Sequence, residues 1–131
     1  MNPLSVLIAD DEEAIRHLLE EWLKPLGHVV AGAANGTEAI KLLNHVHFDL
    51  VVTDMLMPEG GGVKLIEELK KIQPDASILV ISGGGRYLDY DNSLGISPGL
   101  GADAAILKPF SRDKFLEAVG LALAAKKTSD V

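Results

Sequence analysis

The chain has no cysteine among its 131 residues. That excludes a disulfide framework and a thiolate zinc site. It also lacks any apolar run near the roughly 20 residues that span a bilayer. Its N-terminus carries no basic region followed by a long apolar one, so no signal peptide is expected. Basic residues are outnumbered: 12 Lys and Arg against 19 Asp and Glu give a formal net charge of −7. A surface of that sign repels nucleic-acid phosphates and anionic lipid, so direct binding to nucleic acid or membrane is not expected. A bound cation or a partner with a basic face suits it better. Repeats are absent, and the only polar tract is the end of the chain. These absences leave one compact domain over 1–125 with a polar tail over 126–131, no output domain, and a cytoplasmic location as the expectations.

What is present is enough apolar material for a core, 47% of the chain, distributed in two alternating patterns. Short runs end at polar residues: Leu4 to Ala9 before Asp10-Asp11-Glu12, His28 to Ala33, Phe48 to Thr53 before Asp54, Ser77 to Ile81 before Ser82, and Ala104 to Leu107 before Lys108-Pro109. Each reads as a strand, with His28 to Ala33 the weakest and best suited to an edge. Between them, apolar residues recur at helical spacing. The first helix is predicted on Ala14, Ile15, Leu18, Leu19, Trp22, Leu23 and Leu26, closed by Gly27. The second has Asn35 or Thr37 as its cap and Ala39, Ile40, Leu42, Leu43 and Val46 as its buried face. The third uses Val63, Leu65, Ile66, Leu69 and Ile72, and stops at Pro74. Residues 86–101, interrupted by Gly95, Pro98 and Gly99, read as a short or irregular helix. Ser111 caps a last helix on Phe115, Leu116, Val119, Ala122 and Leu123.

Five alternations of strand and helix predict an α/β fold, a doubly wound, flavodoxin-like parallel sheet of order 2-1-3-4-5 covered by helices on both faces. Ligands in such folds bind at the C-terminal edge of the sheet. The chain sets its most telling polar residues there: Asp10 and Asp11 after strand one, Asp54 after strand three, Ser82 after strand four and Lys108 after strand five. Taken singly, each has an ordinary reading. Asp54 could simply begin the turn towards Pro58 and Gly60, and Asp10 or Asp11 could cap a helix. Together they are a chemical inventory. Three gathered carboxylates call for a cation, and an oxygen-only set suits Mg²⁺. A lysine and a hydroxyl beside them can stabilise charge on a transferring phosphoryl group, with a carboxylate as nucleophile.

On these residues the chain resembles the receiver domains of bacterial two-component response regulators. Asp10 and Asp11 match the family's acidic pair, Asp54 its phosphoacceptor, Ser82 its strand-four hydroxyl, and Lys108-Pro109-Phe110 its strand-five lysine motif. Asp54-Met55-Leu56-Met57-Pro58 with Gly62, and Gly101-Ala102-Asp103, follow the family pattern as well. The likeness runs from residue 4 to about 124. It implies Mg²⁺ held by Asp11, Asp54 and the main-chain carbonyl of Leu56, with Asp10 acting through water. Asp54 would take a phosphoryl group from a phosphohistidine of a sensor histidine kinase or histidine phosphotransfer protein, or from a small phosphodonor. Ser82 and Lys108 would grip the phosphoryl group, and their movement would alter the face formed by residues 86–101, the fifth strand and the last helix. The Lys108-Pro109 bond would be cis. The chain would act as a switched regulator that catalyses its own phosphorylation and dephosphorylation, not as an enzyme on other substrates. A phosphorylation-dependent dimer and an unknown downstream protein partner complete the implication.

Two features depart from the pattern. Ala105 stands where the family usually has a switch aromatic, with Tyr87 or Tyr90 as substitutes from the neighbouring segment. The stretch from Ser82 to Lys108 is also longer than usual and rich in glycine. Other readings keep a phosphorelay intermediate or an unphosphorylated interaction module on the same fold. An aspartyl phosphohydrolase would need an acid where Leu56 stands, a flavin module would be repelled by Asp10-Asp11-Glu12, and a P-loop NTPase would need a glycine-rich loop after strand one. His45 and His47 lack a third metal ligand, and Lys70, Lys71, Lys126 and Lys127 read as solvated helix termini.

Overall fold

A computed structural model describes residues 3–55, 57, 61–83 and 101–129. Its elements follow in the order β1 (Ser5–Ala9), α1 (Glu13–Leu23), a 3₁₀ turn (Lys24–Leu26), β2 (Val29–Ala33), α2 (Gly36–Leu43), β3 (Leu50–Asp54), α3 (Gly61–Ile72), β4 (Ser77–Ser82), β5 (Ala104–Leu107) and α4 (Arg112–Ser129). The five strands form one sheet in the order β2-β1-β3-β4-β5, all pairs parallel. The expected strand order is therefore the one observed. The irregular helix expected over 86–101 lies outside the described residues, as do Tyr87 and Tyr90.

Side chains alternate across the sheet, and that alternation divides the core in two. Leu7, Ala9, Val51, Ile78 and Val80 face one way, where Ala39 and Leu43 of α2 and Leu65, Ile66 and Leu69 of α3 cover them. Val6, Ile8, Leu50, Val52, Leu79 and Ile81 face the other, against Leu19 and Leu23 of α1 and Phe115, Val119 and Ala122 of α4. The inner strands β1, β3 and β4 are buried on both faces, so they read as continuous apolar runs. Burying each such side chain stabilises the fold by about 1.5–3 kcal/mol, which explains why the pattern dictates the layers. Trp22, Phe110 and Phe115 form a ring cluster on the α1–α4 side, with centroids 5.7–6.1 Å apart.

The helix boundaries show where local pattern misleads. Asn35, not Thr37, caps α2: its Oδ1 accepts from the Glu38 amide at 2.8 Å, and Glu38 accepts in turn from the Ala34 amide at 2.8 Å. Thr37 lies inside the helix and is exposed. Four of the apolar positions used to predict the helices are exposed. They are Ala14 on the first turn of α1, Leu26 in the 3₁₀ turn, Val46 beyond the end of α2, and Val63 on α3. Strand β3 begins at Leu50, two residues later than expected, although Phe48 is buried beside it. Gly27 closes the first helical segment in the left-handed region, at φ 95°.

At the end of the sheet away from the strand C-termini, Gln73 is buried and ties three backbones together. Its Oε1 accepts from the Phe48 amide at 2.8 Å, and its Nε2 donates to the carbonyls of Leu43 and Val46 at 2.9 and 2.6 Å. Lys126 also departs from expectation. It is not a solvated terminus: α4 continues through Ser129, and Lys126 lies 3.7 Å from Asp103 and 3.4 Å from the Pro74 carbonyl, only 18% exposed. Asp103 itself accepts from the Ile78 amide at 2.8 Å, which fixes the entry to β5. Gly101 precedes it at φ 90°, and a β-carbon there would collide with the Lys70 side chain. His47 and Asp75 form a surface pair at 3.2 Å whose hydrogen bond holds the Asp75 carboxyl below its ordinary range.

Candidate functional site

The sheet order places the ends of β1, β3, β4 and β5 side by side, so residues distant in sequence meet at one edge. Asp54 is the last residue of β3 and Ser82 the last of β4; Asp10 and Lys108 directly follow β1 and β5. Backbone bonds extend the ladder into the site: the Lys108 amide donates to the Ser82 carbonyl at 2.9 Å, the Met55 amide to Ile81 at 3.1 Å, and the Asp10 amide to Ala33 at 3.1 Å. Gly62, at the start of α3, packs so closely on β3 that a β-carbon there would stand 2.5 Å from the Asp54 carbonyl oxygen.

Lys108 is the hub. Its Nζ donates to Glu12 at 2.9 Å and lies 3.3 Å from Asp54 Oδ2 and 3.3 Å from Asp10 Oδ2. The Lys108-Pro109 bond is cis. Burial works against the charge of Lys108, but the hydrogen bond to Glu12 and the charges of Asp10 and Asp54 outweigh it and hold the ammonium above its ordinary value of 10.5. Asp10 is fully buried. Burial drives its carboxyl above the usual 3.8, with the neighbouring Asp54 charge adding to the rise, while the Glu12 amide and Lys108 offset part of it.

The acidic turn differs from the one expected. Asp10 Oδ1 accepts from the Glu12 amide at 2.9 Å, which folds the chain back on itself at the start of α1. Asp11 is exposed at the tip of that turn, and its carboxylate does not join the others. Glu12 does. Among the described residues, one carboxylate oxygen from each of Asp10, Glu12 and Asp54 lies within 4.8 Å of the other two. Arg16 supports the turn by donating to the Asp10 carbonyl at 2.8 Å. Sequence reasoning named Asp10, Asp54 and Lys108, which the structure brings together, but passed over Glu12 and Arg16. The available signal was spacing: positions 12 and 16 share a helix face next to the acidic pair.

The donor set fits a hard divalent cation. Asp10 Oδ2 is buried with no hydrogen-bond partner among the described residues; its contact with Lys108 is an ion pair without hydrogen-bond geometry. An oxygen-only group that includes such an atom suits Mg²⁺. The Leu56 carbonyl lies outside the described residues. Ala105, at the switch position, is half-buried and packs against the α2–α3 side of the core.

Over residues 6–120 the sequence matches the response regulator receiver domain family. The chain is a receiver domain of that family. Its relatives include the chemotaxis protein CheY of Thermotoga maritima, 36% identical over 115 residues that cover 87% of this chain and 92% of that protein. Another is the probable transcriptional regulator ycf27 of Cyanophora paradoxa, 38% identical over 118 residues, 90% of this chain but 47% of the relative. The receiver domain thus spans about half the length of that relative. Among solved structures, a CheY-like receiver domain protein from Methanospirillum hungatei superposes with a TM-score of 0.84 at 27% identity, covering 98% of this chain and 99% of that one. A receiver domain protein from Clostridium thermocellum gives 0.80 at 29% identity over 95% and 97%. The family function is to accept a phosphoryl group on an aspartate in two-component signalling, and receiver domains bind Mg²⁺ through acidic residues. No helix among the described residues is long and apolar enough to cross a membrane.

Proposed function

We propose that Asp54 is the phosphoacceptor of this receiver domain and that Lys108 and Ser82 hold the transferred group. The observation that supports it most is the position of Lys108 Nζ, 3.3 Å from Asp54 Oδ2 on a neighbouring strand end. An Asp54 carboxylate oxygen attacks the phosphorus of a phosphohistidine, on a sensor histidine kinase or a histidine phosphotransfer protein. The new P–O bond forms as the P–N bond breaks, and the imidazole leaves with the bonding electrons. Lys108 supplies a point charge to a phosphoryl oxygen, and the Ser82 hydroxyl donates to another. Mg²⁺, held by Asp10 and Asp54 with Asp11 and the Leu56 carbonyl as the further ligands the family implies, would neutralise the carboxylates and the phosphoryl charge. Water then cleaves the acyl phosphate, so the domain catalyses both its phosphorylation and its reset.

The output is a change of protein contacts, with a downstream partner or a second copy of the domain. Ala105 offers only a methyl group where the family's aromatic would move, so the signal leaves by a different route from the ring-burial switch. The test is incubation with acetyl phosphate and Mg²⁺ followed by intact-mass measurement. The wild type gains one phosphoryl group and Asp54→Ala gains none; equal uptake by the variant, or none by the wild type, would overturn the assignment. Titration of Asp11→Ala with Mg²⁺ tests the metal set, and an unchanged affinity would remove Asp11 from it.

A further inference from the structure

Resting on the phosphoacceptor reading of Asp54, a second role falls to Glu12. It stands at the N-cap of α1, where Ser, Thr, Asp or Asn would ordinarily accept a helix amide. Its side chain makes no such cap, and its own amide is satisfied by Asp10. Helix initiation therefore does not explain the glutamate. Its carboxylate instead accepts from Lys108 Nζ at 2.9 Å, shorter than either of the other two carboxylate contacts of that lysine. The partners also differ in freedom. The side chains of Asp10 and Asp54 are 0% and 7% exposed at strand ends, whereas that of Glu12 is 59% exposed on a rotatable arm.

We infer that Glu12 is a positioning residue that competes with the phosphoryl group for Lys108 and so sets how readily the site takes up a phosphodonor. Lys108 carries one positive charge among three carboxylates. Were Asp10 and Asp54 to hold a divalent cation, their two charges would be offset, and Glu12, bonded to Nζ at 2.9 Å, would remain the counter-charge of the lysine. A phosphoryl oxygen arriving beside Asp54 must then draw Nζ away from Glu12. Because the glutamate arm is solvated, the competition is modest, worth about two- to five-fold in rate. The exposed arm can swing aside without disturbing the strand ends.

The experiment compares the wild type with Glu12→Gln, Glu12→Asp and Glu13→Gln. Glu12→Asp keeps the charge but shortens the arm that reaches Lys108. Glu13→Gln removes a charge next door, from a side chain paired with His17 at 3.8 Å rather than with Lys108. Phosphorylation by acetyl phosphate and Mg²⁺ is followed by intact mass at fixed ionic strength. The reactivity of each lysine towards an acylating reagent is mapped without phosphodonor, a readout that a merely structural effect would not confine to Lys108. Both Glu12 variants are expected to take up phosphate about two- to five-fold faster, with Lys108 alone more readily acylated, and Glu13→Gln to match the wild type. Acceleration in Glu12→Gln but not Glu12→Asp, or equally in Glu13→Gln, would show plain charge repulsion and overturn the inference. Equal rates in all four chains would overturn it while leaving Asp54 as the acceptor. No uptake by the wild type would overturn the Asp54 reading, and this one with it.

Discussion

Gly62 and Asp54 approach so closely that the start of α3 leaves no room for a side chain against the end of β3: a β-carbon at position 62 would stand 2.5 Å from the Asp54 carbonyl oxygen and 2.9 Å from Met55 Cα. The neighbouring atoms are backbone, so neither can rotate away. Gly62 also donates its amide to the Met55 carbonyl at 3.1 Å, which pins the helix start to the end of β3. Gly62→Ala is expected to lower stability by about 1–3 kcal/mol, the usual cost of forcing extra volume into a packed site. It should also slow phosphorylation, because relief of the clash displaces Asp54. Chemical denaturation and mass measurement check the two effects. A variant with wild-type stability and wild-type uptake would show that the close approach relaxes freely.

The buried carboxyl of Asp10 makes a pH prediction whose sign is fixed. Its pKa in the folded chain is raised, chiefly by burial. A raised carboxyl favours folding while protonated, so its contribution is complete below the unfolded value near 3.8 and is lost as pH rises through the folded value. At neutral pH without Mg²⁺ that contribution is diminished, and the buried carboxyl weakens the fold relative to acid pH. Asp10→Asn keeps an oxygen for the Glu12 amide and removes the charge. The variant should be more stable than the wild type by about 1 kcal/mol at pH 7, and the gap should close on acidification towards pH 4. Mg²⁺ should stabilise the wild type and not the variant. Thermal melts with and without Mg²⁺ across that range decide it; a variant less stable than the wild type at pH 7 would contradict the raised value.

Gln73 gives a prediction at the opposite end of the sheet. Its amide satisfies the Phe48 amide and the Leu43 and Val46 carbonyls in a buried setting. Gln73→Leu keeps the volume and strands those groups, at about 1–3 kcal/mol for a buried donor left unpaired. Stability should fall by that amount while phosphoryl uptake at Asp54 stays at the wild-type rate. Unchanged stability in denaturant would mean that water replaces the side chain at no cost.

Much of this protein was legible from local pattern. Apolar alternation and helical spacing predicted all five strands and their order, because burying apolar side chains on two faces of a parallel sheet leaves few other arrangements. That order in turn sent Asp10, Asp54, Ser82 and Lys108 to one edge, since residues that end parallel strands share it wherever they lie in the chain. The charged and polar arms were another matter. Asp11 and Glu12 are neighbours of like chemistry, and only the turn closed by the Asp10 carboxylate leaves the first in solvent and brings the second to Lys108. Asn35 and Thr37 were equal candidates for a cap until the backbone chose one, and Lys126 read as a solvated end until Asp103 and Pro74 came beside it. Burial is written in the sequence as a repeating pattern. The direction of a long polar side chain depends on a partner many residues away, and only the folded chain supplies it.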